Sequence, residues 1–357
     1  METPYYKKIN PIVIKLGGTE FLHYTGFSVR RSLSQFVDTF SLSCSNPAGR
    51  YSREIYTGMS FQAYFEGVEI LRGLIEGKKS RSAAVGSNIT FTGREELVDV
   101  TEDDVDPSMG PFENVTDNTI IEALIDGFGW STDFDDAKVI TKYDITPGSS
   151  RKGQIIVDVA RRNNFYVWKK GVVIYKRTLP EAGGDIKDKF EFAVGLNSRG
   201  KWTNRVTSVD IVEDVSGAKS KLIGSGYEEG KPKEGTTVEV ENDTIKDGKY
   251  HTVIRNLLSQ TNTRPLSRTH YASLPTTDEV STNVLVERAV KEMNISAYIN
   301  ITLAGFHDFD LTDTVLFDAE SEGIYNTFYV STIEYRFESN NKRTTQLTLC
   351  PISYLPV

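Results

Sequence analysis

Two stretches near opposite ends of this 357-residue chain alternate apolar and polar side chains with strict period two, and that pattern constrains its fold more than any other. In Thr39-Phe-Ser-Leu-Ser-Cys-Ser-Asn-Pro47, Phe40, Leu42 and Cys44 point one way and Thr39, Ser41 and Ser43 the other, until Asn46-Pro47 stops the strand. Far along the chain, Ile295, Ala297, Ile299, Ile301 and Leu303 alternate with Ser296, Tyr298, Asn300 and Thr302. Such alternation describes a sheet with one dry and one wet face. Two sheets of this kind without a catalytic constellation point to a protein that works through its shape and surfaces.

Further strand signals surround both stretches. Ile12 to Leu16 stops at Gly17-Gly18, and Phe27 to Arg31 follows. Phe61, Ala63 and Phe65 lead into the two-residue turn Glu66-Gly67, from which Val68 to Ile75 returns; Asn88 to Arg94 continues the pattern. Several strands with short connections and no helix between them predict a barrel or sandwich over residues 1–100. At 101–107 the pattern breaks. Thr119-Ile-Ile-Glu122 reads as a capping box opening a helix that buries Ile120, Ile121, Leu124 and Ile125, with Phe128 on the same face. A second helix is expected over Lys152 to Asn163, then a hairpin about Lys170-Gly171. Residues 101–184 thus read as a small α+β inserted domain. Phe190 to Val194 and Arg205 to Val212 read as strands returning to the first sheet, so that about 185–215 completes it. The Gly-, Lys-, Ser- and Glu-rich stretch 216–235 reads as a linker or long loop. Residues 236–357 form a second barrel with one helix, opened by the capping box Thr276-Thr-Asp-Glu279. The fold class is α+β, mainly β.

The length suits two or three domains, and 38% hydrophobic with 11% aromatic residues marks a globular chain. A net charge of −8 argues against general nucleic-acid binding, which needs a basic face. Cys44 and Cys350 sit in strand patterns and are expected to pack as small apolar side chains. Met1 to Asn10 has no apolar core of a signal peptide, and no apolar run approaches the ~20 residues that span a bilayer. Synthesis in a cytoplasm and no membrane insertion by the chain itself are the expectation.

A search for chemistry returns little. His23, His251, His270 and His307 are scattered without zinc-ligand spacing, so no metal and no cofactor are expected. Gly224 to Gly230 lacks the strand–helix frame of a phosphate loop, and no Gly-x-Ser-x-Gly elbow exists. Glu102, Asp103, Asp104 and Asp106 offer carboxylates of the kind calcium takes, but off the EF-hand spacing; a solvated turn is favoured. Asp133, Asp135 and Asp136, near Trp130 and Phe134, are the best candidates for a glycosidase acid and base, yet they read as a polar loop after a helix. No catalytic, cofactor or metal residue is assigned.

Taken in order, several segments resemble the baseplate hub proteins of contractile-tail bacteriophages, the late-control or tail protein D family. They are Phe40 to Pro47, the hairpin reaching Arg72-Gly-Leu-Ile-Glu-Gly77, Phe91-Thr-Gly-Arg-Glu-Glu-Leu-Val-Asp99, Lys152-Gly-Gln-Ile-Ile-Val157 with Val167-Trp168, and Tyr335 to Pro351. The likeness covers almost the whole chain and is carried by order and spacing. It implies two tail-tube-like barrels per subunit and a homotrimer whose six barrels adapt a hexameric tail tube to a trimeric cell-puncturing spike. The implied partners are the spike protein, the tube or tube-initiator protein, other baseplate proteins and the tape measure protein, in the virion tail baseplate. The spike proteins of type VI secretion share this hub, and with no OB-fold or β-helical extension before Val357 the spike is expected to be a separate chain. The alternatives are a virion-associated glycan-degrading enzyme and a carbohydrate-binding module.

Overall fold

The computed structural model describes residues 12–83, 86–145, 151–163, 165–180, 184–192, 206–214, 221–228, 231–241, 269–274, 296–319, 322–338 and 340–352. The chain opens with strands β1 (Ile12–Leu16), β2 (Thr19–Glu20), β3 (Tyr24–Ser32) and β4 (Thr39–Ser45), then a short helix α1 (Arg50–Glu54). Next come β5 (Ser60–Phe65), β6 (Val68–Ala83) and β7 (Gly86–Glu95). The β5–β6 hairpin turns at Glu66-Gly67 with φ of 48° and 91°, the left-handed pair that a tight two-residue hairpin requires. In β4 the predicted alternation holds: Phe40, Leu42 and Cys44 are buried while Thr39, Ser41 and Ser43 are half-exposed.

The middle section contains α2 (Leu97–Glu102), β8 (Phe112–Thr116), α3 (Asp117–Ile125), β9 (Ser131–Phe134) and β10 (Val139–Tyr143). It continues with α4 (Lys152–Arg162), β11 (Tyr166–Lys170) and β12 (Val173–Arg177). Ile120, Ile121, Leu124 and Ile125 of α3 and Ile155, Ile156, Val159 and Ala160 of α4 are buried together in a core of their own with Leu97, Phe165 and Ile174. The cap of α3 lies three residues earlier than expected. Thr116 is its N-cap, and its hydroxyl accepts from the Thr119 amide at 3.2 Å. The sequence offers both threonines, and Asp117 at the first helical position, favoured by the helix dipole, moves the start upstream.

The remaining strands are β13 (Asp188–Glu191), β14 (Val206–Asp214), β15 (Lys221–Glu228), β16 (Lys231–Glu241), β17 (Thr269–Leu274), β18 (Ser296–Ala304), β19 (Thr314–Ala319), β20 (Ile324–Phe337) and β21 (Arg343–Pro351). Thirteen strands belong to one sheet, ordered β14-β18-β21-β20-β3-β4-β7-β6-β5-β1-β2, with β19 on β20 and β13 on β19. In place of two separate barrels, the two halves are merged by the β3–β20 ladder, and among the described residues the ends β14 and β2 do not pair. The chain is mainly β, and its sheets do not close on themselves among the described residues. Period-two alternation sets which face is dry; it carries no information about which edges meet.

Two further expectations are corrected. The strands read as completing the first sheet join the other half: β13 runs parallel to β19, and β14 antiparallel to β18. The stretch 216–235, read as linker, instead carries β15 and β16, an antiparallel pair extended by β17. Its few apolar residues hid it, because backbone pairing needs no apolar pattern. The helix expected from Thr276 lies outside the described residues.

Leu42 and Ile299 are fully buried, one in each half of the sheet's single large core. Leu42→Ala and Ile299→Ala should each lower the unfolding free energy by about 2–5 kcal/mol. Equilibrium urea denaturation reads this directly; a midpoint unchanged from wild type in either variant means the burial is wrong.

Candidate functional site

The wet face of the sheet is built from small hydroxyls and paired charges. Glu334, Arg30, Thr39 and Arg94 lie side by side across β20, β3, β4 and β7. Beside them runs a second row, Arg336, Ser28, Ser41, Thr92 and Gly77. On the other flank Thr332, Thr348, Asn300 and Asp210 make a third row, through β21 and β18 to β14. Because side chains alternate along a strand, these all stand on one face, opposite the buried Val29, Phe40, Leu42, Phe91, Ile333 and Leu347.

Most charges here are neutralised within the face. Glu334 accepts a fork from Arg336 at 2.7 and 3.0 Å and the Ser28 hydroxyl at 2.5 Å. Arg94 forks onto Glu76 at 2.7 and 2.8 Å and reaches Glu102 at 2.9 Å; these carboxylates raise its pKa further. Ser43 pairs with Thr90 at 3.0 Å, and Thr348 donates to Asn300 at 2.9 Å. A shallow groove over Ser28, Ser41, Thr92 and Gly93 is walled by Glu334, Arg336 and Arg94. A surface whose polar groups already satisfy one another in water offers little that is adhesive.

Under the edge of this face lies a buried joint of charges that sequence analysis did not single out. Arg31 of β3, fully buried, sits 3.0 Å from Asp310 and 3.5 Å from Asp38, and Asp38 accepts the Ser32 amide at 3.0 Å. Asp310 is also bound by Lys170 of β11. Lys169, also fully buried, faces Glu95 at 3.6 Å and Glu96 at 3.4 Å. Three cations therefore meet four carboxylates, one acid more than the cations can neutralise. Burial drives both acids toward the neutral form, Asp38 up to about 7 and Glu95 up to about 8, the latter also repelled by Asp38. Burial works on Asp310 too, yet Arg31 and Lys170 hold it below the usual carboxylate range. A second buried pair, Lys176 and Asp117 at 2.9 Å, fixes α3 to β12 inside the middle section.

The residues weighed for chemistry are dispersed or occupied. Arg177 binds Asp133 at 2.6 Å and Asp135 at 3.3 Å, while the Asp136 carbonyl accepts from Lys176. Glu102 binds Arg94, Asp103 binds Lys152 at 2.7 Å, and Asp106 caps a 3-10 turn through the Ser108 amide. No group of three or more His, Cys, Asp or Glu fit to hold a metal occurs among the described residues. His23 stacks near Tyr51, and the His307 ring bonds the Ala304 carbonyl at 2.8 Å; His251 lies outside the described residues. Cys44 and Cys350 are unpaired thiols, and burial pushes Cys44 up to about 11. Gly224-Ser-Gly226 lies within β15, so no phosphate loop forms there.

Residues 11–95 match the family model described as Mu phage baseplate assembly protein GpP-like, N-terminal. Over these residues the chain is similar to a phage baseplate family. Among solved structures it is similar to the tail protein from Neisseria meningitidis MC58, with a TM-score of 0.77 at 12% identity over 95% of each chain. The 43 kDa tail protein of prophage MuSo2 from Shewanella oneidensis gives 0.74 at 14% identity, over 96% of this chain and 99% of that one. An E. coli component of the type VI secretion system, described as structurally similar to the T4 tail proteins gp27 and gp5, gives 0.55 at 10% identity, over 95% and 77%. No curated protein matches the sequence. At these identities the likeness is one of fold, and it spans both halves of the chain together with the middle section.

The buried joint makes stability fall as pH rises. In the unfolded chain Asp38 and Glu95 lose their protons near ordinary carboxylate values, whereas the folded chain keeps them up to about 7 and about 8. Their contribution is complete below the unfolded values and is lost as pH climbs through the folded ones. Each retained proton contributes a slope of up to ~1.4 kcal/mol per pH unit. The melting temperature should therefore drop from about pH 5 to about pH 9, and Glu95→Gln, which mimics the neutral acid, should flatten the drop. A melting temperature that climbs across this range in wild type would contradict the upward shift of these two acids.

Proposed function

We propose that this chain is the structural hub of a contractile-tail baseplate, a homotrimer joining a six-fold tail tube to a three-fold spike. The observation that carries the reading is the baseplate-family match in residues 11–95, set within a fold shared with phage tail proteins over almost the full length. The wide polar face then becomes the wall of a conduit. A wall that lets a tape protein or a genome slide past needs water-facing groups that are already paired, and an acidic chain does not grip phosphates. The middle section, which has its own core beside that of the sheet, marks three-fold positions where other baseplate proteins attach.

The glycan-degrading alternative needs two carboxylates free in a cleft. Arg177 occupies two of the three candidates, which speaks against it. The hub acts through binding alone, with the spike on one rim and the tube or tube-initiator protein on the other.

Sedimentation velocity of the purified chain should give a trimer, and negative-stain electron microscopy a three-fold ring with a central hole. Obligate interfaces of this kind bury more than ~2,000 Å². A monomer that forms no ring even after the spike is added would exclude the hub, and muralytic activity lost in an Asp133→Asn, Asp135→Asn, Asp136→Asn variant would favour the enzyme.

A further inference from the structure

The two buried charge clusters are made very differently. Inside the middle section both oxygens of Asp117 are used. They accept the Asn118 and Lys138 backbone amides at 2.9 Å, the Asn163 side chain at 3.0 Å and Lys176 at 2.9 Å. The joint between the middle section and the sheet is looser. Arg31 stands 3.5 Å from Asp38, and Lys169 stands 3.6 Å from Glu95, beyond good hydrogen-bond length. Among the described residues, Nε and Nη2 of Arg31, Oδ2 of Asp38 and both carboxylate oxygens of Glu95 are buried without a hydrogen-bond partner in the protein. Such groups are few in native folds, and each costs stability.

This loose joint lies where two units meet. Residues 97–177 enter at Glu96 and leave past Arg177, and one face of the β11–β12 hairpin packs in the middle core through Val167 and Ile174. The other face, with Tyr166, Trp168 and Tyr175, rests on the large core of the sheet; Trp168 is 5% exposed and stacks on Tyr175 at 5.6 Å. Asp38 and Glu95 face each other's charge, Arg31 from β3 and Lys169 from β11. Around these stand Glu96, Asp310, Lys170 and Glu69, and the phenols of Tyr175 and Tyr335. Burial raises both phenols, so they stay neutral while the two acids ionise. A dry site that already holds one acid too many takes both charges only at a high cost. Parting the hairpin from the sheet brings water to it.

We propose that the joint is a latch: when Asp38 and Glu95 are both ionised, the middle section lifts off the sheet as a folded unit and uncovers the aromatic face of β11 and β12. The inference rests on the joint alone and not on the hub reading. The buried charges inside the section are satisfied and those that dock it are not, so the chain parts at the joint before either core opens. At low pH both acids carry protons and the latch holds. It opens as pH rises through about 7 and about 8.

The test is acrylamide quenching of tryptophan fluorescence in the purified full chain. Between about pH 6 and about pH 9 the quenching constant should rise about twofold or more as Trp168 becomes accessible, with the far-UV circular dichroism unchanged. Trp168→Phe should remove the rise, and Glu95→Gln should shrink it. A staple supplies a second measurement. A Cβ built at Gly171 falls 3.5 Å from that of Glu69, within the span of a disulfide, so Gly171→Cys with Glu69→Cys pins the hairpin to β6. Oxidised, that variant should show no rise; reduced with dithiothreitol, it should recover it. Flat quenching in wild type, a rise that survives Trp168→Phe or the oxidised staple, or a rise accompanied by loss of circular dichroism overturns the latch.

Discussion

The antiparallel ladder between β3 and β20 is the joint on which the rest of the structure depends. It pairs Phe27–Ser32 with Thr332–Phe337, residues some 300 positions apart, and turns two half-sheets into one. Closing so long a loop costs little more than closing a short one, since the entropy grows only with the logarithm of length. What makes the pairing specific is its setting. The Ser28 hydroxyl meets Glu334 on the wet side, and Val29 and Tyr335 are buried opposite each other on the dry side. Aromatic contacts continue the seam: Phe27 stacks with Phe337 and Phe306, and Phe65 lies against Tyr335.

Arg31 sits inside this ladder, opposite Ile333, and explains why the middle section docks where it does. A guanidinium with no exposed surface is costly unless carboxylates surround it. Asp38 comes from the β3–β4 connection, Asp310 from the segment before β19, and Lys170 reaches Asp310 from β11. Glu95 and Glu96 hold Lys169 in the same way. Removing one carboxylate leaves the fully buried Arg31 or Lys169 with a single counter-charge, so the cluster favours one relative placement of three chain segments. Packing agrees with this placement, since in β11 Val167 faces the middle section's core while Trp168 joins the large sheet core.

Much of this was legible in the sequence, for a definite reason. Residues whose environment repeats along a strand or helix announce themselves: Phe40, Leu42 and Cys44, Ile299 to Leu303, and the apolar face of α4 all lie where periodicity places them. The Glu66-Gly67 turn was readable because a left-handed pair favours few residues. The order of strands was not, because alternation is the same whichever neighbour a strand has. The buried charges did leave a trace. Arg31 follows Phe27 and Val29 in the dry phase of β3, Glu95 follows Ile89 and Phe91 in β7, and Lys169 follows Val167 in β11. A charge in the apolar phase of a strand marks a place where another segment arrives with the opposite charge, and three such charges converge here.

The same alternation links fold to role. A sheet that buries one face against its own core must leave the other to water, and this one keeps that face almost free of large apolar groups across eight strands. Had the face been meant to bind a partner tightly, aromatic or aliphatic anchors would be expected on it; Ser, Thr, Asn and paired Arg–Glu forks stand there instead. An open sheet, however, leaves unsatisfied amides and carbonyls along its edges. A wide water-facing sheet is thus stable in solution only if its edges are covered, short, or matched to each other. The β2 end meets the demand by being two residues long. The uncovered part of β6 carries cations and β14 carries acids, and like charges oppose the pairing of either edge with its own kind.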